Sequence, residues 1–324
     1  MTQRKIGLCL DPQFLTVSEL LDRGAIGDKG GASSLWLVQL PNQRDSVSML
    51  AALAAHTRAL HLGCGIVPLY SRPPVIMAQT ALTLDEVSGG RIELGLGMGH
   101  RGVGEWIVGA KPAPVLRSMR EYVGVVRDLV RDGEVSRSGA DYSGHASYSA
   151  PRRPELPILI GGFGPRLARL AGEIADGVIL WMCTPGYVRE HVLPNLRRGL
   201  AAREQPAPDF RVLAIVAGGL SADPERDRGV YRRSLDMHLR VPTYRAMFER
   251  SGHADSVAAG AASDALVDDL FGAGTREQFS AHLHRYWAAG VDEVLVSPSA
   301  AAHDDPELFE DTLLAATDAL AGAP

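Results

Sequence analysis

The sequence predicts an α/β fold: a (β/α)8 TIM barrel carrying one insertion after its seventh strand. Three observations lead there. Eight short runs rich in branched residues alternate with longer amphipathic stretches, the pattern of βαβ crossovers and a parallel sheet. Three helix-to-strand junctions, KGGASSLWLV, ADGVILWM and AAGVDEVLV, repeat small residues and a glycine ahead of an apolar strand. Glycine supplies the left-handed conformation that stops a helix. Eight such units in 324 residues fit a closed barrel better than an open doubly wound sheet.

In chain order the strands read 5–10 (KIGLCL), 34–40 (SLWLVQL), 60–67 (LHLGCGIV), 91–97 (RIELGLG), 157–162 (PILIGG), 177–182 (GVILWM), 211–217 (RVLAIVA) and 292–297 (DEVLVS). Among the helices, 74–84 comes after SRPP, and 112–131 places Val115, Met119, Tyr122, Val123, Val126, Leu129 and Val130 at helical spacing. Segment 275–289 opens with Thr275 and Gln278, spaced as a capping box, and ends before Gly290. Two stretches exceed a minimal barrel. Residues 133–150 are polar and turn-rich and read as a hairpin or excursion. Residues 222–262 form the insertion, which on a barrel hangs over the C-terminal face. With no linker or low-complexity segment, residues 1–324 read as a single domain.

Composition excludes several roles. A net charge of −5 gives no electrostatic reason to expect nucleic acid, whose phosphates call for a basic face. No apolar run approaches the ~18 residues of a membrane span. MTQRKIGLCLD runs into a strand without a signal-peptide plan, so a cytoplasmic protein is expected. Cys9, Cys64 and Cys183 lack CxxC spacing and read as buried reduced thiols, with no metal site.

Two glycine-rich stretches carry the chemistry. GGRIELGLGMGH, extended to Gly102, matches GxGxxG, but a dinucleotide site also needs a helix directly after the glycines and an acid ending a second strand. The next residues are VGEWIVGAKPAP, interrupted by two prolines, and Glu121 lies inside a helix. That excludes a Rossmann site. The alternation Gly95, Gly97, Gly99 puts bare backbone on one strand face, marking close approach of a ligand or another backbone. In PILIGGFGPRLARLAGEIADGVILWM, Gly161, Gly162 and Gly164 clear the turn, Pro165 fits the first helical position, and Arg166 and Arg169 add positive charge. Unsatisfied N–H groups at such a helix start favour a phosphate; a tight turn using glycine for geometry alone is the competing reading.

Taken together, RPPVIMAQTALTLDEVSGGRIELGLGMG and LPILIGGFGPRLARLAGEIADGVILWM, in order between about Lys5 and Ser299, resemble the luciferase-like flavin-dependent oxidoreductases. WLVQLPNQRD and GPRLARLAGEIADGVILWMCTPGYVREHV resemble the branch that uses coenzyme F420, an 8-hydroxy-5-deazaflavin, related to methylenetetrahydromethanopterin reductases. The resemblance implies a flat tricyclic cofactor at the barrel mouth. It implies a non-proline cis peptide at Gly65-Ile66 against the ring, and a phosphate cradle from Gly161, Gly162, Phe163, Gly164 and Pro165. Gly97, Met98 and Gly99 would lie beside the ring, with Gln39 and Trp181 at neighbouring strand ends; Trp181 borders the pocket or packs in the core. Family members commonly form homodimers.

One departure matters. Many relatives place an acid and a histidine at the end of strand two, where this chain has Val38-Gln39-Leu40. His100 and Glu105 are then the nearby candidates for proton transfer, a histidine suiting general acid work. Asp11, ending strand one, faces the mouth or caps the turn after it. The expected function is hydride transfer between reduced F420 and an organic small molecule. The alternatives are an FMN-dependent monooxygenase and a barrel without a catalytic cofactor.

Overall fold

The computed structural model describes residues 4–40, 42–99, 101–109 and 113–321. Its strands are β1 Lys5–Leu10, β2 Ser34–Leu37, β3 His61–Cys64, β4 Val67–Pro68, β5 Ile92–Gly97, β6 Glu134–Arg137, β7 Gly144–Ser147, β8 Ile158–Gly161, β9 Gly177–Trp181, β10 Arg211–Leu220, β11 Phe271–Gly274 and β12 Glu293–Pro298. Eight of them close a parallel ring in the order β1-β2-β3-β5-β8-β9-β10-β12, with β12 returning to β1. All eight barrel strands lie where the sequence puts them. β6 and β7 form the antiparallel hairpin within 133–150.

The barrel has two apolar layers. Outward-facing Ile6, Leu8 and Leu10 of β1 join the larger core beneath the helices, whereas inward-facing Cys9 packs with Trp36, Leu159, Ile179, Leu213, Ile215 and Leu295. This is period-2 alternation with both faces apolar. At the N-terminal end the interior is polar. Arg211 of β10 lies between buried Glu93 and Glu293, paired with the first and 3.3 Å from the second. His61 Nδ1 lies 3.1 Å from Glu93, Ser34 Oγ donates to Glu293 at 2.5 Å, and Trp36 Nε1 donates to Ser34 Oγ at 3.0 Å. Burial pushes the Glu93 carboxyl up, but the His61 ring and the Arg211 guanidinium outweigh it and hold the group below its ordinary range.

Helix Arg276–Ala288 starts with the expected capping box, Gln278 N donating to Thr275 Oγ1 and Thr275 N to Gln278 Oε1. Of the three glycine junctions, two behave as left-handed stops, Gly31 (φ 77°) and Gly290 (φ 95°). Gly177 does not: it opens β9, where a β-carbon would lie 2.8 Å from the Arg211 carbonyl. The prolines after Gly102 do not prevent a helix, since Arg101–Val108 is helical, two turns that finish before Pro112. The Rossmann reading still fails, because β5 sits inside a closed barrel between β3 and β8.

β10 is ten residues long, twice β9. Its first half pairs with β9 (Arg211↔Gly177 to Ile215↔Trp181), and its last four residues pair with β11 (Ala217↔Phe271 to Leu220↔Gly274). The excursion therefore leaves from above the rim. It contains helices Pro224–His238, Pro242–Arg250, Ala254–Ala259 and Asp264–Leu270 and returns through β11, so it extends beyond the expected 222–262. Among the described residues no helix is long and apolar enough to cross a membrane.

Candidate active site

The C-terminal strand ends form the mouth. β3 breaks after Cys64 at a cis Gly65-Ile66 peptide, where the resemblance puts one, and resumes as β4 against β5 (Val67↔Leu96, Pro68↔Gly97). This detour explains the glycine alternation of β5. A β-carbon on Gly95 would strike the Cys64 carbonyl, one on Gly97 would lie 2.6 Å from Ile66 Cγ1, and one on Gly99 3.1 Å from the Tyr70 hydroxyl. The face expected to be bare beneath a ring is thus filled by the neighbouring strand and by Ile66, which also occupies the space over Gly161. Ile66 joins Val38 and Trp181 as partly buried side chains above the inner core cluster. They form an apolar ledge suited to one face of a flat ring.

Beside this ledge runs the loop Gly161–Gly164. Gly162 N donates to the Ile179 carbonyl at 3.2 Å, and the buried Tyr187 hydroxyl donates to the Phe163 carbonyl at 3.2 Å, fixing the loop from two sides. Gly164 is the N-cap of helix Pro165–Ile174 and provides no side-chain cap. With proline at the first position, the N–H groups of Arg166 and Leu167 have no intrahelical acceptor. No atom lies within 4 Å of a β-carbon built on Gly164. Open backbone at an uncapped helix start suits a phosphate. Arg169, in contrast, bonds Glu173 at 3.0 Å, and Arg120 takes the same carboxylate, leaving Arg166 exposed.

The excursion reaches this site; which of its residues do so the sequence did not show. Tyr244 packs against Phe163 of the glycine loop (centroids 5.0 Å apart), and His238 meets both Tyr244 (4.8 Å) and Trp181 (6.5 Å). Met182, directly after β9, adopts a left-handed conformation (φ 55°) and is buried with Cys183, whose thiol donates to Met247 Sδ at 3.6 Å. That conformation costs about 1–2 kcal/mol for a side chain of this kind, and it turns the chain sharply beyond Trp181. An aromatic-rich segment (PTYRAMF) predicted above a barrel mouth was the available signal for Tyr244; nothing local marked His238 or Met182.

The remaining sequence candidates are dispersed. Gln39 accepts from Ser46 N (2.8 Å) and Ser46 Oγ (2.7 Å) and donates to the Leu40 carbonyl (3.0 Å), so its amide braces the loop after β2. Met98 packs partly buried on the core, and Glu105 is exposed on the Arg101–Val108 helix. His100 lies outside the described residues. Asp11 is tied to the turn after β1 by Gln13 N at 2.9 Å; burial pushes its carboxyl up, against that N–H and His303. The three cysteines are buried and free, with Cys64 pushed up to about 12 by desolvation, so none is a poised nucleophile. No His, Cys, Asp and Glu cluster suited to a metal occurs among the described residues.

Comparison with known proteins gives a consistent result. The chain is 31% identical over 203 residues to a 5,10-methylenetetrahydromethanopterin reductase of Archaeoglobus fulgidus, covering 63% of this chain but only 60% of that protein. It is 31% identical over 241 residues to an F420-dependent glucose-6-phosphate dehydrogenase of Intrasporangium calvum, covering 68% and 71%. The fold matches the structure of an F420-dependent secondary alcohol dehydrogenase in complex with an F420-acetone adduct (TM-score 0.82, 18% identity, 97% and 99% covered). Residues 6–293 match the family described as luciferase-like monooxygenase, and the chain belongs to that family.

Proposed function

We propose that this protein is a coenzyme F420-dependent oxidoreductase that transfers a hydride between the deazaflavin and a small organic substrate. The observation that carries the reading is the pairing of the Ile66, Val38 and Trp181 ledge with an open glycine loop at an uncapped helix start, side by side at one mouth. The two relatives at 31% identity are a reductase and an F420-dependent dehydrogenase, which favours F420 over FMN. The bound cofactor would supply a carbon-centred two-electron hydride donor or acceptor.

The chain's own residues would do the rest. The backbone of Gly161, Gly162, Phe163 and Gly164 and the start at Pro165 hold the phosphate; Ile66 supports the ring face, with Gly65, Gly97, Met98, Gly99, Gln39 and Trp181 around it. The excursion excludes water from above, making residues 1–324 one functional domain. His100 and Glu105, which follow β5 in the sequence, are the proton-transfer candidates. The net charge of −5 supports a small-molecule substrate over nucleic acid, and the family's habit supports a homodimer.

Fluorescence titration with F420 and with FMN tests the reading. Saturable F420 binding with no FMN binding is expected. FMN binding alone would overturn the F420 reading in favour of the FMN-dependent alternative, and binding of neither would remove the redox role.

A further inference from the structure

The N–H groups of the loop Gly161–Gly164 are not equally open to a ligand. Gly162 N–H is taken by the Ile179 carbonyl at 3.2 Å. Gly164 N–H donates to nothing among the described residues, and its direction is set by the peptide that carries it. That peptide joins Phe163 to Gly164 and is trans, and in a planar trans peptide the C=O and N–H vectors are opposed. The Phe163 carbonyl accepts from the Tyr187 hydroxyl at 3.2 Å, and Tyr187 is buried, so the carbonyl is turned into the protein. Gly164 N–H therefore leaves in the opposite direction. The residue borders open space, with no atom within 4 Å of a β-carbon built on it, and it is followed by the free N–H groups of Arg166 and Leu167.

Tyr187 is itself held from several sides. Its N–H donates to Oγ1 of buried Thr184 at 3.1 Å, and its ring packs against His191, centroids 4.9 Å apart. Burial pushes the phenol pKa up, aided by Cys183 and opposed by Arg250 at the end of the Pro242–Arg250 helix, so the hydroxyl keeps the hydrogen it donates. The ring of Phe163 is fixed separately, against Tyr244.

We propose that Tyr187 is a positioning residue for the cofactor: its hydroxyl fixes the Phe163–Gly164 peptide so that Gly164 N–H, and not Gly162 N–H, is offered to the phosphate. The inference rests on the F420 reading above. Without the hydroxyl, the Phe163 carbonyl loses its buried partner and the peptide is free to turn over. A turned peptide sets a carbonyl oxygen where the N–H was, and two acceptors then face each other across the phosphate contact. One buried hydrogen bond thus decides whether the loop attracts or repels an anion.

The test labels the full chain with 13C at the phenylalanine carbonyl and 15N at glycine. Phe-Gly occurs twice in the sequence, at 163–164 and 271–272, so a carbonyl-filtered amide spectrum reads those two peptides. Gly272 lies in β11, in register with Gly218, and serves as the reference. On titration with F420, the Gly164 amide should move in step with the fluorescence change while Gly272 stays still. Tyr187→Phe, which creates no further Phe-Gly pair, should move the Phe163 carbonyl and Gly164 amide in the free protein. The same variant should melt within a few degrees of the parent and bind F420 about tenfold more weakly. A Gly164 amide indifferent to bound F420, or a Tyr187→Phe protein with the parent's Kd, overturns the role of Tyr187 and leaves the F420 reading standing. Weaker binding with both 163–164 signals unmoved in the free variant does the same, because the loss then comes from elsewhere. Absence of F420 binding by the parent chain overturns both.

Discussion

A β-carbon on Gly97 would lie 2.6 Å from Cγ1 of Ile66, so the emptiness of one residue and the bulk of the other are a single packing decision. Ile66 is β-branched and stiff at its first side-chain torsion, which limits its escape. Gly97→Ala is therefore expected to destabilise the protein by about 1–3 kcal/mol, an overpacking cost. Trimming the partner in Gly97→Ala/Ile66→Ala should recover much of it. A double-mutant cycle by urea denaturation checks this; additive effects would mean the two side chains do not share that space.

Gly164 makes the opposite prediction. Its φ of −65° suits any residue, and nothing lies within 4 Å of a β-carbon there. Gly164→Ala should leave stability unchanged or raise it by about 0.4–1 kcal/mol. If the loop cradles a phosphate, the same methyl group should weaken F420 binding at least about tenfold, roughly 1.4 kcal/mol. Thermal melts and fluorescence titration on one preparation separate the two effects.

At the other end of the barrel, Arg211 is the cation between Glu93 and Glu293. Arg211→Met leaves two buried carboxylates without it and should cost about 3–5 kcal/mol. Adding Glu93→Gln should return part of that loss. The midpoint and slope of guanidinium denaturation read both.

His282 is buried, and desolvation, aided by Arg285, lowers its pKa to about 3. The unfolded chain takes up this proton near pH 6.5, and the folded chain does not until near pH 3. Its neutral form therefore costs nothing above pH 6.5, and stability falls as the pH drops from there toward 3, by up to about 1.4 kcal/mol per pH unit. His282→Leu should be close to neutral at pH 7 and should lose less stability than the parent between pH 6 and 4. Parallel stability curves for the two proteins would show that His282 titrates normally.

The legibility of each feature depended on how it is encoded. Barrel strands are buried on both faces, so ILIG or GVILW stand out as continuous apolar runs. The Thr275–Gln278 capping box is a local pairing and was readable as such. β11 was not: FGAG is four residues, half of them glycine, and is a strand only because β10 overhangs beside it. The Arg101–Val108 helix was masked by its own glycines and the prolines beyond. The β5 alternation was visible, but the groups that fill it come from Cys64, Ile66 and Tyr70, some thirty residues earlier. His238 and Tyr244 acquire meaning only when the excursion folds back onto Trp181 and Phe163.

The overhang of β10 divides the molecule's evolutionary labour. Everything between Leu220 and Phe271 leaves and re-enters through two adjacent strand ends held in register by backbone pairing, a junction indifferent to side-chain identity. A relative's segment spliced between those two points would inherit the same ledge and glycine loop while bringing its own walls. On the proposed function, exchanging that segment would change the walls around the substrate while leaving the ledge and the glycine loop in place.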